Sequence, residues 1–325
     1  MIYKKNKTQK LGFSLIELSI VLAVIGILMI ATLKSSDLIS QARISSAAQK
    51  TVNSPVLKIE GLSLWYETTL SNSFLSAESK NEGAISRWND NSGNNPTSLN
   101  DENLNNARQD NFINRPNYIV DGVNGLPVLR FDGEDDFLSF DGTSLTNTNY
   151  TIFLVSSRNS NKNVNPIIGG TAITNFDNLN IGYFLNATSR FRISHYGDFT
   201  ASNSGTDYID YNGIAPNFLT YNNSISQIHS ITSDSNIGKV YYQNGGINII
   251  TPSATAIGAN AKLALSSFSE SAIGRFTYAD TTTFTAYFDG DIAEMIVFNK
   301  NLSDQERQDV ERYLSDKYQI TLSYS

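Results

Sequence analysis

The apolar positions along this chain follow two different rules. From Phe13 to Leu33 run 21 residues that are almost wholly apolar, with one charge, Glu17. As a helix this run is about 31 Å long, close to the thickness of a bilayer core. It passes without a break into the polar, helix-compatible stretch "KSSDLISQARISSAAQKTVNS", and no proline intervenes before Pro55. The pattern predicts one long helix over 13–54, membrane-spanning over 13–33, then a linker over 55–60. A secretory signal peptide fits poorly, because its apolar region is usually about 7–15 residues and ends at a small-residue cleavage site.

After Pro55 the period changes. Short apolar or alternating runs are separated by Asn, Gly, Asp and Ser clusters: "LSLWY", "LPVLRFD", "FLSF", "YTIFLVSS", "RFRISHY", "KVYYQ", "INII" and "IAEMIVF". These read as strands. The Asn-Gly step in "VYYQNGGINII" marks a hairpin. Many short antiparallel strands over 61–325 predict a mainly β architecture, a β-sandwich or jelly roll. One helix stands out near the end, "LSDQERQDVERYLSDKY". Ser303 with Glu306 three residues on forms a capping box. Val310, Tyr313, Leu314 and the Lys317-Tyr318 pair lie along one stripe, which predicts a helix capping the sandwich.

Composition sharpens this reading. Only 17% of residues are charged, and there is no cysteine, so disulfides, zinc-thiolate sites and cysteine nucleophiles are all excluded. The net charge of −7 is unevenly placed: residues 1–50 carry seven Lys and Arg against two acidic residues, and the rest of the chain is strongly acidic. An acidic body argues against a nucleic-acid partner. A basic head before an apolar run fits a single-pass segment with its N-terminus in the cytoplasm.

A carboxylate inside a membrane-length run calls for a reason, because a charge at mid-bilayer costs about 2.5–3.5 kcal/mol on insertion scales. The stretch "KLGFSLIELSIVLAVIGILM" resembles the N-terminus of type IV pilins and type II secretion pseudopilins. A short basic leader, 1–12, ends in Gly12; Phe13 follows; Glu17 is the fifth residue from there. The resemblance implies cleavage after Gly12 by a prepilin peptidase and methylation of the new N-terminus on Phe13. It also implies that Glu17 neutralises the Phe13 amine of a neighbouring pilin subunit during assembly. The protein would lie in the inner membrane before assembly. It would then reach the cell surface in a filament, or stay periplasmic if it is a pseudopilin. Two features depart from the family: "ATLKSSD" stands where many pilins have a kinking proline, and the usual C-terminal disulfide loop is impossible.

The segments from "GLSLWYE" through "RWNDNSGNN", "NGLPVLRFDGEDDFLSF" and "FDGDIAEMIVFNKNLSDQERQDVERYLSDKY" resemble, in order, the bacterial laminin-G-like group of the concanavalin A-like lectin/glucanase fold. The Asn-rich middle, 159–222, matches least. The likeness implies a jelly-roll sandwich that binds carbohydrate or another surface ligand; the expected role is structural or adhesive and not enzymatic, with a membrane-tethered glycoside hydrolase as the alternative.

Several residues are candidates for chemistry, each with a plainer alternative. "FDGEDDF" gathers Asp132, Glu134, Asp135 and Asp136. Asp132, Asp135 and Asp136 would suit Ca²⁺, a hard cation that takes oxygen ligands. The alternative is a solvated turn. In "FDGDIAEM", Asp289, Asp291 and Glu294 have a spacing similar to the E-x-D-x-x-E of laminarinase-like glycosidases, but the first position is an Asp. Glu294 would share a strand face with Ile292, Ile296 and Phe298 unless a bulge intervenes, so a structural carboxylate paired near the helix is expected. His195 and His229 fall in strands, away from any triad-like motif. Trp65 reads as core. Trp88, between Arg87 and Asn89-Asp90, is the candidate for stacking on a sugar.

Overall fold

The computed structural model describes residues 15–93, 105–146, 148–160, 162–173, 178–184, 190–196, 207–212, 225–234, 238–247, 268, 270–279 and 283–324. At 26–28, 30–37, 172–173, 178, 184, 190, 195–196, 207–212, 247, 278–279 and 283 it describes the backbone alone. The chain divides into two compact units, Met1–Arg43 and Ile44–Ser325. Helix α1, Leu15–Val52, runs from the first into the second, so its last turns fall with the sandwich. It is unbroken, as the lack of an interrupting proline predicts, and it stops three residues before Pro55, which disfavours helical geometry in the residue before it.

The second unit is a mainly β sandwich with a C-terminal helix. One sheet has nine strands. Its spine is Asp289–Phe298, which pairs with Tyr150–Arg158 on one side and with both Leu126–Asp132 and Leu62–Glu67 on the other. The facing eight-stranded sheet runs from Asp207–Asn212 through Arg190–Tyr196, Asn178–Phe184 and Val164–Gly169 to the short strands Ala272–Ile273, Leu138–Ser139, Ala107–Arg108 and Arg87–Trp88. A three-stranded sheet of Thr171–Ile173, Arg275–Ala279 and Thr283–Tyr287 completes the β structure among the described residues.

Strand alternation builds two cores from the nine-stranded sheet. Its inner face sends Leu64, Tyr66, Ile152, Leu154, Met295 and Val297 against Ile168, Ile181, Phe191 and Ile193 of the other sheet. Its outer face sends Trp65, Phe153, Val155, Ile296 and Phe298 against α2, Asp304–Tyr318, whose Val310, Tyr313, Leu314 and Tyr318 are buried there. These strands are therefore apolar on both faces, which explains the continuous run in "YTIFLVSS".

The expected capping box forms: Ser303 Oγ accepts from Glu306 N at 3.3 Å, and Glu306 Oε2 accepts from Ser303 N at 2.8 Å. The hairpin also forms, with Asn244 and Gly245 at φ 47° and 76° between Gly238–Gln243 and Gly246–Ile247. That pair of positive φ values is what a tight two-residue turn requires.

Candidate functional site

Gly12 and Phe13 lie outside the described residues. Glu17 lies in the first turn of α1, and from Leu15 to Ile25 every residue is exposed. Leu15 is 86% exposed and Ile16 70%, and Leu18, Ile20, Val21, Leu22, Val24 and Ile25 follow. At 100° per residue these positions cover the whole circumference of the helix. A helix apolar all round has no polar face to give to water, so it needs an apolar surrounding. Among the described residues no helix is long and apolar enough to cross a membrane. Positions 26–28 and 30–33, described by their backbone alone, fall inside the expected span 13–33.

The acidic turn after strand Leu126–Asp132 is compact. Ligand oxygens of Asp132, Asp135 and Asp136 lie within 4.8 Å of one another, with Asp132 exposed and Asp136 buried. Asp132 Oδ1 accepts from Glu134 N at 2.7 Å and from Asp135 N at 3.3 Å, while Asp136 Oδ2 accepts from Asp132 N at 3.0 Å. Burial, with Asp132 and Asp135 beside it, pushes Asp136 up to about 7 against that one hydrogen bond. Three carboxylates converging in this way offer oxygen ligands to a hard cation. Glu134 takes no part in the cluster.

Two carboxylates of "FDGDIAEM", Asp291 and Glu294, are each held by a basic side chain. Asp291 is held by Arg130 in a fork, Nε to Oδ1 at 2.7 Å and Nη2 to Oδ2 at 2.8 Å. A register shift lies between Ile292 and Glu294. This bulge is the one the sequence reading allowed for. It leaves Ile292 in the inter-sheet core and turns Glu294 to the α2 side with Ile296 and Phe298. There Glu294, 1% exposed, accepts from Trp65 Nε1 at 2.7 Å, Tyr313 OH at 2.8 Å, Tyr318 OH at 2.9 Å and Lys317 Nζ at 2.8 Å.

Lys317 also reaches Glu67 Oε2 at 2.9 Å, so one buried ammonium serves two buried carboxylates. Burial alone would raise Glu67; Lys317 and the hydrogen bonds from Ser73, Thr69 and Leu70 override it and hold the carboxyl below its usual value. Burial alone would lower Lys317; Glu294 and Glu67 override it and hold the ammonium above its usual value. Nothing in the sequence pointed to Glu67, and Lys317 was legible only as a polar residue on the apolar stripe.

The sugar-stacking expectation for Trp88 is corrected by the structure. Trp88 is fully buried, its indole donates to Glu67 O at 2.7 Å, and its ring stacks on Phe74 at 5.9 Å. Its polar neighbours Arg87 and Asn89 suggested exposure, but strand alternation turns Trp88 inward and leaves no ring face for a ligand. Trp65 is 1% exposed, as expected of core. His229 is buried between Tyr241 OH at 2.7 Å and Tyr183 OH at 3.0 Å and stacked on Phe191; burial lowers it to about 3. It is therefore neutral throughout the physiological range. The His195 side chain lies outside the described residues.

Residues 7–33 match the family described as the prokaryotic N-terminal methylation motif. No curated protein matches the chain. Among solved structures, the chain is similar to domain 4 of AbnA, a GH43 extracellular arabinanase from Geobacillus stearothermophilus, in complex with arabinotriose. That likeness has 15% identity and a TM-score of 0.46, and covers 77% of this chain and 98% of that one. It is similar to Trypanosoma rangeli sialidase at 14% identity and a TM-score of 0.45, covering 79% of this chain and 33% of that one. It is also similar to the binding domain of Botulinum neurotoxin DC in complex with rat synaptotagmin II, at 14% identity and a TM-score of 0.46, covering 80% and 52%. The chain thus spans about a third of the sialidase and about half of the toxin binding domain.

Proposed function

We propose that this protein is a type IV pilin-like subunit that displays a laminin-G-like, concanavalin A-like head, and that it is structural or adhesive rather than enzymatic. The observation that carries the reading is the methylation motif over 7–33, which opens a helix that continues unbroken into a β-sandwich. A prepilin peptidase cuts between Gly12 and Phe13. The apolar collar of α1 then sits in the inner membrane, spanning it over 13–33, and afterwards packs against other pilin subunits. The head meets carbohydrate or another surface ligand outside the cell. The ion-paired states of Asp291 and Glu294 support a non-catalytic head, since a retaining glycosidase needs two carboxylates free to reach the sugar about 5–5.5 Å apart.

Glu17 supplies the test. If it neutralises the Phe13 amine of a neighbour, Glu17→Gln breaks a charge pair in a low-dielectric setting, at a cost of roughly 3–5 kcal/mol. That shifts each docking step by about two to four decades. Processed subunit then accumulates in the inner membrane and little appears in sheared filaments. Glu17→Asp, which keeps the charge with shorter reach, gives an intermediate amount. Equal incorporation of the Gln variant would remove the role given to this carboxylate. Wild-type protein absent from sheared filaments and retained in the periplasmic fraction would point to a secretion pseudopilin.

A further inference from the structure

The last turns of α1 are bound into the sandwich by more than their covalent link. Ala47 is 3% exposed and packs in the core beneath α2. Lys50 Nζ donates to Asp316 O of α2. Thr51 is fully buried; its hydroxyl, with one proton to share, lies 3.1 Å from Ala47 O, 3.2 Å from Tyr313 OH and 3.4 Å from Thr69 Oγ1. Tyr313 in turn donates to Glu294, and Lys317 one turn later joins Glu294 to Glu67. Glu67 ends the first strand after α1, Leu62–Glu67, and Glu294 lies in the spine strand of the nine-stranded sheet. The chain's final helix thus closes a ring between the end of its first helix and two strands.

We propose that this buried network is a lock that makes residues 44–52 of α1 part of the head's cooperative unit, with α2 as the bolt. A pull along α1 is then delivered to α2 and to the sheet, and the segment 53–61 does not carry it alone. The lock stands on the geometry of the head. Its use under filament tension rests on the pilin-like reading.

Three properties suit the network to this. Its side chains Thr51, Glu67, Glu294, Tyr313 and Lys317 are all buried, so salt screens them little. Every oxygen of Glu67 and Glu294 has donors, so opening it strands charges in the core, which is costly. Its members come from segments far apart in sequence, so no local fluctuation of one element releases it.

The experiment is hydrogen exchange on the full chain in detergent micelles, comparing wild type with Tyr313→Phe and Thr51→Val. Each variant deletes one hydroxyl of the α1 link and leaves the Lys317 ion pairs in place. In wild type, amides of 47–52 are expected to exchange as slowly as those of Tyr150–Arg158 and Asp289–Phe298. In both variants protection of 47–52 should fall, by roughly tenfold in Thr51→Val and by at least as much in Tyr313→Phe, which also removes a bond to Glu294, while the strands keep theirs. Two outcomes overturn the lock. One is wild-type exchange at 47–52 as fast as at 38–43. The other is variant protection that is unchanged, or lost evenly across helix and sheet, since the hydroxyls would then only stabilise the core. Either result leaves processing and filament incorporation, and so the proposed function, untouched.

Discussion

Replacing Lys317 by Met tests the energetics of the buried network. The side chain is fully buried and its ammonium lies 2.8 and 2.9 Å from two carboxylates that are themselves fully buried. Met is unbranched, one atom shorter, and removes the charge. Glu294 retains three neutral donors, and Glu67 keeps Thr69, Leu70 and Ser73. Even so, two anions now face each other without a cation. Breaking a buried pair from one side costs roughly 3–5 kcal/mol. Against a total stability of about 5–15 kcal/mol this is a large fraction. At about 2–3 °C per kcal/mol for a domain of this size, Tm should fall by roughly 6–15 °C.

The pH dependence separates this from a simple packing defect. In wild type Glu67 is depressed, so its contribution is present above the usual carboxylate range and is lost only as pH falls through its lowered value. Lys317 is raised, so its contribution is present below the usual lysine range and is lost only as pH rises through its raised value. Between about pH 6 and 9 this pair therefore adds no slope. In the variant Glu67 loses the cation that offsets its burial, its protonated form is favoured in the fold, and stability is lost as pH rises. Melting of residues 44–325 at pH 5 and pH 8 should show the larger deficit at pH 8. A Tm within 2 °C of wild type at both pH values, or a larger deficit at pH 5, would refute the reasoning.

Three other predictions concern Asp136 and Trp88. Asp136 sits at about 7, so Ca²⁺ must displace a proton to bind the Asp132–Asp136 turn; calcium should raise Tm more at pH 8 than at pH 6, and an equal Tm in millimolar calcium and in chelator would leave the turn without a metal. Without calcium the ionised form is disfavoured in the fold, so Asp136→Asn should raise Tm above pH 7. Trp88→Ala should lower stability by about 3–5 kcal/mol, as loss of a buried aromatic does; an unchanged melt with altered glycan binding would contradict its placement in the core.

Much of the architecture was legible because each regime has its own period. The long helix, the hairpin at Asn244-Gly245, the capping box at Ser303 and the core strands all carry local chemistry that fixes local structure. The middle was less legible: Val164–Gly169, Asn178–Phe184 and Asp207–Asn212 are strands in an Asn-rich stretch with weak apolar alternation. Among candidate residues, the structural role of Glu294 could be read because its neighbours on the strand are apolar. Trp88 could not, because a two-residue strand is too short to display its alternation. The partnership of Lys317 with Glu67 spans 250 positions of sequence, and only the fold brings them together. The chain unit boundary at Arg43 and Ile44, inside α1 and not at Pro55, has the same origin: nothing local marks Thr51 as a core residue.

The central claim is that the chain is processed as a pilin-like subunit, and the mass of its mature N-terminus tests this most directly. Protein recovered from membranes or filaments of cells carrying a prepilin peptidase should begin at Phe13, with one methyl group on its amine, and Gly12→Ala should block or slow the cut. An intact leader beginning at Met1 in assembled material would contradict the account.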